Sequence, residues 1–322
     1  MRVHVQNDPA DPAFAITEPQ WRAAAADEPP HAVSFAADVD GFAAARDAME
    51  LLVAPPAALR RLRPLVAPRL KLVFLNAAGV DAIAPFDWLP AGAVLLNNRG
   101  THGPKAGEYV AMAALMLAAR LPALAGAQHA GRWQPIHAAT LAGRHALVIG
   151  TGDLGSAGAR ALRALGVRTT GVNTTGRRHP DFDAIAPASA IDALLPQADI
   201  LVLACPLTPA THHLLDRRRL GLLPAHAGLV NIGRGELLEQ DALREALAQG
   251  RLSGAVLDVV TPEPLPDGHP LWTTPNLIVT PHISCDDPAT YSARSLAILF
   301  ANLRAWRAGD ALPNRVDLAR GY

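Results

Sequence analysis

The chain has 322 residues, of which half are hydrophobic, 5% aromatic and 18% charged, and its 29 basic residues balance 29 acidic ones. Its length predicts about two domains, and its zero net charge argues against binding nucleic acid or anionic lipid by bulk electrostatics. Two cysteines, Cys205 and Cys285, are too few for a disulfide framework or a four-thiolate metal site. The first residues lack the hydrophobic core of a signal peptide, and the longest uncharged apolar run, Tyr109 to Ala119, is too short to span a bilayer. We therefore expect a cytoplasmic globular protein with no metal site and no membrane or nucleic-acid partner.

Apolar runs rich in Val, Leu and Ile alternate along the chain with stretches rich in Ala, Leu and Arg. This alternation is typical of βαβ units and predicts an α/β fold with parallel sheets. The predicted strands are Met49–Val53, Leu70–Leu75, His145–Ile149, Thr169–Val172, Ile200–Ala204, Gly228–Ile232, Gly254–Asp258 and Leu277–Thr280. The predicted helices are Pro56–Leu65, an apolar helix Tyr109–Leu124, Leu154–Leu165, Ile191–Leu195, Glu239–Leu247 and Asp287–Ala308. The turn residues from Asn97 to Pro104 predict a domain junction near residue 98.

A glycine-rich turn follows the predicted strand His145–Ile149. The strand runs directly into Gly-x-Gly-x-x-Gly, and a helical pattern comes next. Gly150 permits the tight turn, Gly152 allows a pyrophosphate to approach the backbone, and Gly155 allows the helix to pack closely on the strand. The helix N-terminus offers unpaired N–H groups to an anion. The segment therefore predicts dinucleotide binding, and a purely structural turn is the alternative.

The end of the next strand indicates which dinucleotide is bound. A turn that binds NAD is followed, roughly twenty residues on, by an acidic residue for the ribose 2′-hydroxyl, but this chain has Asn173 there. Without that carboxylate nothing repels a 2′-phosphate, and Arg177 or Arg178 can pair with it. We therefore expect NADP to be favoured over NAD. The alternative is that both arginines are ordinary solvated loop charges.

Four further blocks follow the glycine turn in the chain. They are Cys205–Thr211, Val230–Gly235, Leu257–Pro266 and Pro275–His282. In residue type, order and spacing they resemble blocks of the D-isomer-specific 2-hydroxyacid dehydrogenases, which carry Pro-Leu-Thr-Pro-x-Thr, Asn-x-x-Arg-Gly, Asp-Val-x-x-x-Glu-Pro-Leu and Pro-Asn-x-x-x-Thr-Pro-His. An earlier segment, Ala77–Asp81, looks like the substrate loop of the same family. The resemblance therefore covers most of residues 76 to 283.

This resemblance implies two Rossmann-like, doubly wound parallel-sheet domains with the active site in the cleft between them. Residues 1–98 and 286–322 are expected to form a discontinuous, flavodoxin-like substrate-binding domain, and residues 99–285 the dinucleotide-binding domain. The resemblance and the apolar helix Tyr109–Leu124 also suggest a homodimer built on the nucleotide domain. The alternative is that this helix belongs only to the core.

Three side chains suffice for the protein's part in reducing a 2-oxo acid. Arg234 is permanently charged and planar, so it can bind the carboxylate and the ketone oxygen and stabilise the charge that grows there. His282 titrates near neutrality and can donate or accept the proton. Glu263 can hydrogen-bond the imidazole, fix its tautomer and raise its pKa. The resemblance assigns these same catalytic roles to these positions.

The resemblance also assigns residues to the ligands. The backbone N–H groups of Ala77, Ala78 and Gly79, together with Arg234, are expected to hold the substrate carboxylate. Asp258 is expected to bind the nicotinamide carboxamide or, alternatively, to cap a helix N-terminus. The residues expected at the cofactor are Gly150, Gly152, Asp153, Leu154, Gly155, Asn173, Thr174, Arg177, Cys205, Pro206, Thr211, Ile232 and Asp258.

Some residues depart from the family pattern or stand outside it. Tyr109 stands where many relatives have His, and Cys285 where a small residue is common, so both put the shape of the substrate in doubt. Lys105 would suit a second anionic group but is expected to be a surface lysine. His212 and His213 are adjacent in the sequence and are expected to face different directions in solvent.

The expected activity is NAD(P)-dependent hydride transfer between a small 2-oxo acid and its D-2-hydroxy acid, with glyoxylate and hydroxypyruvate as first guesses. Two alternatives remain. A phosphite or other small-anion dehydrogenase of the same superfamily would keep an Arg, a Glu and a His. A nucleotide-sensing protein would keep the fold and bind cofactor without turnover.

Overall fold

The computed structural model describes residues 1–321. Its secondary structure confirms the α/β class. Within these residues the strands are β1 (Arg2–Gln6), β2 (Ala32–Ala36), β3 (Leu51–Ala54), β4 (Leu72–Leu75), β5 (Val94–Leu96), β6 (His145–Ile149), β7 (Arg168–Asn173), β8 (Ala184–Pro187), β9 (Ile200–Leu203), β10 (Gly228–Asn231), β11 (Gly254–Leu257) and β12 (Leu277–Val279). The α-helices are α1 (Glu18–Ala24), α2 (Val39–Ala45), α3 (Pro56–Arg61), α4 (Gly103–Ala118), α5 (Leu121–His129), α6 (Asp153–Ala164), α7 (Ile191–Leu194), α8 (Arg217–Leu220), α9 (Gln240–Ala248) and α10 (Tyr291–Ala308).

The chain divides into two compact units. Unit 1 contains Met1–Thr101 and returns at Asp287, and unit 2 is His102–Asp286. Each unit is built on one wholly parallel sheet, as the sequence predicts.

Unit 1 has a five-stranded sheet in the order β2-β1-β3-β4-β5, which is the flavodoxin-like order. Its central strands β3 and β4 are buried at every position, and successive side chains point to opposite faces. Leu52 and Val73 pack with α2 and α3 on one face. Leu51 and Phe74 pack with α1 and α10 on the other.

Unit 2 has a seven-stranded sheet in the order β12-β11-β10-β9-β6-β7-β8. Helices α4 and α6 cover one face, and α7, α8 and α9 cover the other. The strand order reverses between β6 and β9, and in open α/β sheets ligands bind at the carboxyl ends of the strands beside such a reversal. The glycine turn follows β6 directly, so it lies at this point.

Four strands of the structure, β1, β2, β5 and β8, were not predicted from the sequence. Strands β1 and β2 carry polar residues between their apolar ones, and β5 and β8 span only three and four residues. In β1, His4 and Gln6 are buried because they hydrogen-bond each other, with 3.0 Å between His4 Nε2 and Gln6 Oε1. Strands β2 and β8 lie at sheet edges and contain no buried residue, so neither position requires a buried apolar run.

The single helix predicted for Tyr109–Leu124 is wrong. Helix α4 ends at Ala118, Arg120 adopts a left-handed conformation with φ 59°, and α5 then leaves at 66° to α4. Pro122 explains the break, because inside a continuous helix its ring would clash with the carbonyl of Ala118. Within residues 1–321 no single helix is long and apolar enough to cross a membrane, although α4 and α5 together pass a test based only on length and composition.

Candidate active site

The three predicted catalytic side chains come after three neighbouring strands of unit 2. Arg234 follows β10, Glu263 follows β11 and His282 follows β12. Because these strands are adjacent and parallel, their carboxyl ends meet at one edge of the sheet. The fold therefore gathers residues that lie up to 48 positions apart in the chain.

His282 and Glu263 form a direct pair. His282 Nδ1 lies 2.8 Å from Glu263 Oε2, and the other carboxylate oxygen accepts the N–H of Val260 at 2.9 Å. Since a carboxylate oxygen only accepts, the proton of the imidazole lies on Nδ1 and Nε2 remains for a reacting group. Glu263 is thus held at both oxygens and sets the ring orientation of His282.

The electrostatics of this pair favour a protonated imidazole. The hydrogen bond to Glu263 raises the pKa of His282 above its ordinary value, and this outweighs burial and the charge of Arg234, which lower it. Burial alone would raise the pKa of Glu263, but the hydrogen bonds from His282 and Val260 outweigh burial and lower it. Glu263 therefore stays ionised while His282 keeps its proton to a higher pH than an isolated histidine.

The backbone at His282 is left-handed, with φ 55°, and Asp258 holds it there. The carbonyl of Asp258 accepts the N–H of His282 at 2.9 Å. Its carboxylate accepts the next two N–H groups, those of Ile283 and Ser284, at 2.8 and 2.9 Å. Asp258 is only 1% exposed. We call residues 281–284 the His282 turn.

The helix-cap alternative for Asp258 is wrong, because no helix begins directly after it; the next helical segment is a short one at Pro270–Thr273. The structure places Asp258 on the His282 turn. Its predicted contact with a nicotinamide stays a prediction.

Arg234 lies on a loop that Asn231 shapes. The buried carboxamide of Asn231 donates to the carbonyl of Arg234 at 2.9 Å and accepts the N–H of Gly233 at 3.1 Å. Gly235 follows, where a Cβ would lie 2.3 Å from the carbonyl of Val260, so only glycine lets this loop pass so close to the backbone after β11. The guanidinium of Arg234 donates to the carbonyl of Gly233 at 2.7 Å. Arg234 therefore lies on a loop that leaves the same edge of the sheet as the segment that carries His282.

The glycine turn has the geometry of a dinucleotide site. A Cβ at Gly150, where φ is 103°, would lie 2.6 Å from the backbone of Ala204, and one at Gly155 would lie 1.9 Å from the carbonyl of Gly150. At Gly152, by contrast, a Cβ would meet nothing within 4 Å. Gly152 is the N-cap residue of α6, whose first N–H groups have no side-chain cap. The protein itself thus requires two of the glycines, while the third leaves open space at a helix N-terminus, as a bound pyrophosphate requires.

The loop after β7 is folded around Asn173. Its carboxamide oxygen accepts the N–H groups of Thr175 and Gly176, and its nitrogen donates to the carbonyl of Arg177 at 2.8 Å. The side chains of Arg177 and Arg178 are exposed. Asn173 therefore shapes the segment that carries both arginines.

The remaining predicted cofactor residues lie around the same edge of unit 2. Asp153 and Leu154 form the first turn of α6, Thr174 is exposed and Ile232 is buried. Thr211 closes the loop that begins at Cys205, since its hydroxyl donates to the carbonyl of Pro206 at 2.7 Å. Burial raises the pKa of the Cys205 thiol to about 12, and that of Cys285 likewise to about 12, so neither thiol is a ready nucleophile.

The predicted substrate loop, Ala77–Gly79, follows β4 in unit 1. Within residues 1–321 the N–H groups of this loop have no hydrogen-bond acceptor, whereas the carbonyls from Asn76 to Ala78 each accept a donor. The pairs are Tyr291 Oη with Asn76 O at 3.1 Å, Asn98 N with Ala77 O at 3.0 Å, and Asn97 Nδ2 with Ala78 O at 3.0 Å. A loop whose carbonyls are tied back and whose N–H groups are unbonded suits an anion.

The residues that hold the substrate loop were not predicted. Asn98 is buried, and its carboxamide nitrogen donates to Ser295 of α10 at 2.6 Å while its oxygen accepts the hydroxyl of Thr101 at 2.6 Å. From the sequence, Asn97 and Asn98 indicate only a turn. Two polar residues directly after a buried strand were the signal for this network.

Two expectations outside the site have different outcomes. The rings of His212 and His213 stack with centroids 4.0 Å apart, so the expectation that they face different directions is wrong. The left-handed backbone of His213, with φ 48°, turns its ring back toward its neighbour. Lys105 is partly exposed, as expected of a surface lysine, and its ammonium lies 3.2 Å from the Glu108 carboxylate.

The chain is similar to known proteins of one family. Residues 111–284, more than half of the chain, match the family described as D-isomer specific 2-hydroxyacid dehydrogenase, NAD binding domain. Glyoxylate/hydroxypyruvate reductase A of Serratia proteamaculans is 32% identical over 79% of this chain and 82% of its own length. An uncharacterised protein of Corynebacterium melassecola is 35% identical over 54% of this chain and 57% of its own length.

Solved structures agree along the whole chain. The D-isomer specific 2-hydroxyacid dehydrogenase of Xanthobacter autotrophicus Py2, in complex with NADPH and MES, has a TM-score of 0.84 and 29% identity over 100% of this chain and 99% of that one. The NADPH-dependent glyoxylate/hydroxypyruvate reductase of Sinorhizobium meliloti, in complex with NADP and sulfate, has a TM-score of 0.82 and 26% identity over 100% and 99%.

The parallel-sheet architecture of both units and the match over more than half of the sequence agree with each other. The chain therefore belongs to the D-isomer specific 2-hydroxyacid dehydrogenase family and is an NAD(P)-binding oxidoreductase.

Proposed function

We propose that this protein reduces a small 2-oxo acid to its D-2-hydroxy acid, with glyoxylate and hydroxypyruvate as the first candidate substrates. The observation that carries the proposal is the His282–Glu263 pair, 2.8 Å apart, at the same sheet edge as Arg234. An imidazole that keeps its proton, next to a permanent cation, suits a reaction in which a ketone oxygen becomes an alkoxide. The names of two similar proteins, both glyoxylate/hydroxypyruvate reductases, support the substrate class.

In this mechanism the side chains do three things. The guanidinium of Arg234 binds the substrate and stabilises negative charge on the ketone oxygen as the carbonyl bond is reduced. His282 Nε2 gives its proton to that oxygen, which completes the hydroxyl group. Glu263 holds the ring through Nδ1 and stabilises the imidazolium before the transfer. The nicotinamide cofactor, when bound, supplies the hydride that reaches the carbonyl carbon.

We assign the carboxylate of the substrate to Arg234 and to the N–H groups of Ala77–Gly79. This assignment rests on the three carbonyls that are tied back in this loop, and on the ability of successive unbonded N–H groups to bind a carboxylate. The two elements follow different strands, β10 and β4, so each can be substituted separately.

We assign the cofactor to the glycine turn of unit 2 and favour NADP over NAD. The pyrophosphate would lie at Gly152 and the first turn of α6, in the space where a Cβ would meet nothing within 4 Å. A 2′-phosphate would pair with Arg177 or Arg178, whose loop Asn173 shapes. Two similar structures bind NADPH or NADP, which supports this choice.

We also propose a homodimer formed through unit 2. Met112, Leu115 and Leu121 of α4 and α5 are large hydrophobic side chains, each more than 40% exposed. A second copy that covers them would remove this apolar surface from water. Sedimentation equilibrium tests the proposal, and a monomeric mass contradicts it.

One steady-state experiment tests the activity and separates it from its alternatives. Glyoxylate, hydroxypyruvate and pyruvate are each assayed with NADPH and with NADH, and phosphite is assayed with NADP and NAD in the oxidative direction. We expect turnover of a 2-oxo acid with a higher kcat/KM for NADPH than for NADH. Equal values for the two cofactors contradict the NADP assignment. Turnover of phosphite alone favours a small-anion dehydrogenase, and tight cofactor binding without any turnover favours a nucleotide-sensing protein.

A further inference from the structure

Tyr109 of α4 is connected to the His282 turn by an unbroken series of hydrogen bonds. Tyr109 Oη lies 2.5 Å from Thr280 Oγ1, and Thr280 Oγ1 lies 2.7 Å from Asp258 Oδ1. The same oxygen of Asp258 also accepts the N–H of Ile283, and the other oxygen accepts that of Ser284. A helix on the face of the sheet is thus coupled to the two residues that follow His282.

The direction of these hydrogen bonds follows from their ends. A carboxylate oxygen only accepts, so the single hydroxyl proton of Thr280 is donated to Asp258. Thr280 can then only accept from Tyr109, whose hydroxyl must be the donor. Burial raises the pKa of Tyr109 to about 12, although its hydrogen bond to Thr280 opposes the shift, so Tyr109 keeps the proton that it donates. Every donor in the series therefore points toward Asp258.

We propose that Tyr109 and Thr280 are positioning residues for His282. They fix the rotation of the Asp258 carboxylate, and this carboxylate in turn holds the left-handed His282 turn in place. The proposal rests on the proposed role of His282 as the proton donor. Neither Tyr109 nor Thr280 is assigned a contact with substrate or cofactor.

The backbone conformation of His282 explains why the orientation of the Asp258 carboxylate matters. A histidine with positive φ is held in a sparsely populated region, so neighbouring contacts must maintain it. Asp258 maintains it with three acceptor contacts, one from its carbonyl and two from its carboxylate. A carboxylate that lost the Thr280 hydroxyl would have one donor fewer to define its rotation, and the His282 turn would sample more conformations.

The simpler explanation is that Tyr109 and Thr280 only fill space in the core. Two variants of one residue separate the explanations. Thr280→Val keeps the shape of the side chain and removes the hydroxyl, whereas Thr280→Ser keeps the hydroxyl and removes a methyl group. Tyr109→Phe removes the hydroxyl that donates to Thr280 and keeps the Thr280 hydroxyl that donates to Asp258.

The experiment measures two properties of each full-length variant. The first is the single-turnover rate of NADPH oxidation with a saturating 2-oxo acid. The second is the hydrogen exchange of the Ile283 and Ser284 amides, followed by mass spectrometry. We expect Thr280→Val to lose about fivefold in rate, the size of one net hydrogen bond, with KM for the oxo acid within about twofold of the parent value. In Thr280→Val the amides of Ile283 and Ser284 should exchange faster by a similar factor. Thr280→Ser should match the parent in both properties. Tyr109→Phe should change both properties in the same direction as Thr280→Val, but by less.

Two results overturn the proposal. In the first, Thr280→Val equals the parent in rate and exchange, which means that the hydroxyl positions nothing. Alternatively, Thr280→Ser and Thr280→Val fall equally, which means that packing of the methyl group matters. A parent protein that turns over no 2-oxo acid contradicts the proposed function instead, and in that case the exchange of the two amides still decides between hydroxyl and packing.

Discussion

The substrate loop in unit 1 and the His282 turn in unit 2 are held by hydrogen bonds of opposite polarity. In the loop, neutral donors tie back the carbonyls, and the N–H groups of Ala77–Gly79 are left unbonded. In the turn, a buried carboxylate ties back the N–H groups of Ile283 and Ser284. The first arrangement leaves partial positive charge for an anion, and the second removes it.

This difference separates two chemical tasks. At the His282 turn the Asp258 carboxylate already accepts the N–H groups of Ile283 and Ser284, so these two groups are not available to an external anion. The turn then presents only the side chain of His282, whose other ring nitrogen is held by Glu263. In the proposed function, anions bind instead to Arg234, to the N–H groups of the substrate loop and to those at the start of α6.

The largest expected effect comes from removing the side chain that the turn presents. His282→Ala should lower kcat by about 10² to 10⁴, because general acid catalysis contributes that much, while the melting temperature and the affinity for NADPH stay close to parent values. Stopped-flow turnover, thermal melting and NADPH fluorescence titration measure the three quantities. A variant with near-parent kcat would show that the His282 turn does not serve proton transfer.

The next largest effect tests unbonded N–H groups at the start of α6. Gly152→Ala should weaken NADPH binding by tenfold or more, equivalent to about 1.4 kcal/mol, because the new methyl group would occupy the space assigned to the pyrophosphate. It should leave the melting temperature unchanged, because a Cβ there meets no protein atom within 4 Å. Gly126→Ala in α5 is the matched control, since its Cβ also meets nothing but lies far along the chain from the turn. Equal NADPH affinity for both variants would contradict the assignment.

A smaller effect tests the donors behind the substrate loop. Tyr291→Phe removes the hydroxyl that ties back the carbonyl of Asn76 and should raise KM for the 2-oxo acid about fivefold, as loss of about 1 kcal/mol implies. Ser292→Ala is the control, because the neighbouring Ser292 donates to the carbonyl of Ala15 instead. Steady-state kinetics at saturating NADPH measures both variants. If the control raises KM equally, the effect comes from α10 as a whole rather than from the loop.

The mildest change concerns pH. The pKa of His282 is raised, chiefly by Glu263, so reduction should decline as pH rises through a value above the ordinary 6.5 of histidine. Glu263→Gln removes the negative charge, lowers the pKa of His282 and should move that decline to lower pH. The pH profile of kcat/KM for the 2-oxo acid measures the shift. An unmoved profile would mean that Glu263 does not set the protonation of His282.

Much of unit 2 is predictable from the sequence because its strands are continuous apolar runs. The strand His145–Ile149 was predicted with its observed bounds, and the motif blocks placed Arg234, Glu263 and His282 at successive strand ends. Unit 1 was harder. Strand β1 buries His4 and Gln6 through hydrogen bonds that a hydrophobic pattern cannot reveal.

The residues that hold the substrate loop and the His282 turn could not be predicted from the sequence, for a related reason. Asn98 bonds to Ser295, 197 residues away, and Tyr109 bonds to Thr280, 171 residues away. Such pairs depend on which helix packs on which sheet face, and no local pattern records that. Sequence motifs indicate the groups proposed to react, whereas the polar residues that position them are identified only from the three-dimensional structure.

Helix α10 belongs to unit 1 but follows unit 2 in the sequence, so it is synthesised long after the strands that it covers. This helix covers one face of the unit 1 sheet, where Leu296, Leu299 and Phe300 pack against β3 and β4. On the ribosome the first strands emerge long before that cover, and all of unit 2 is synthesised in between. The unit 1 sheet therefore keeps an apolar face exposed until α10 has been synthesised, and nascent chains arrested before Tyr291 should be the ones that proteases cut in unit 1 and that chaperones bind.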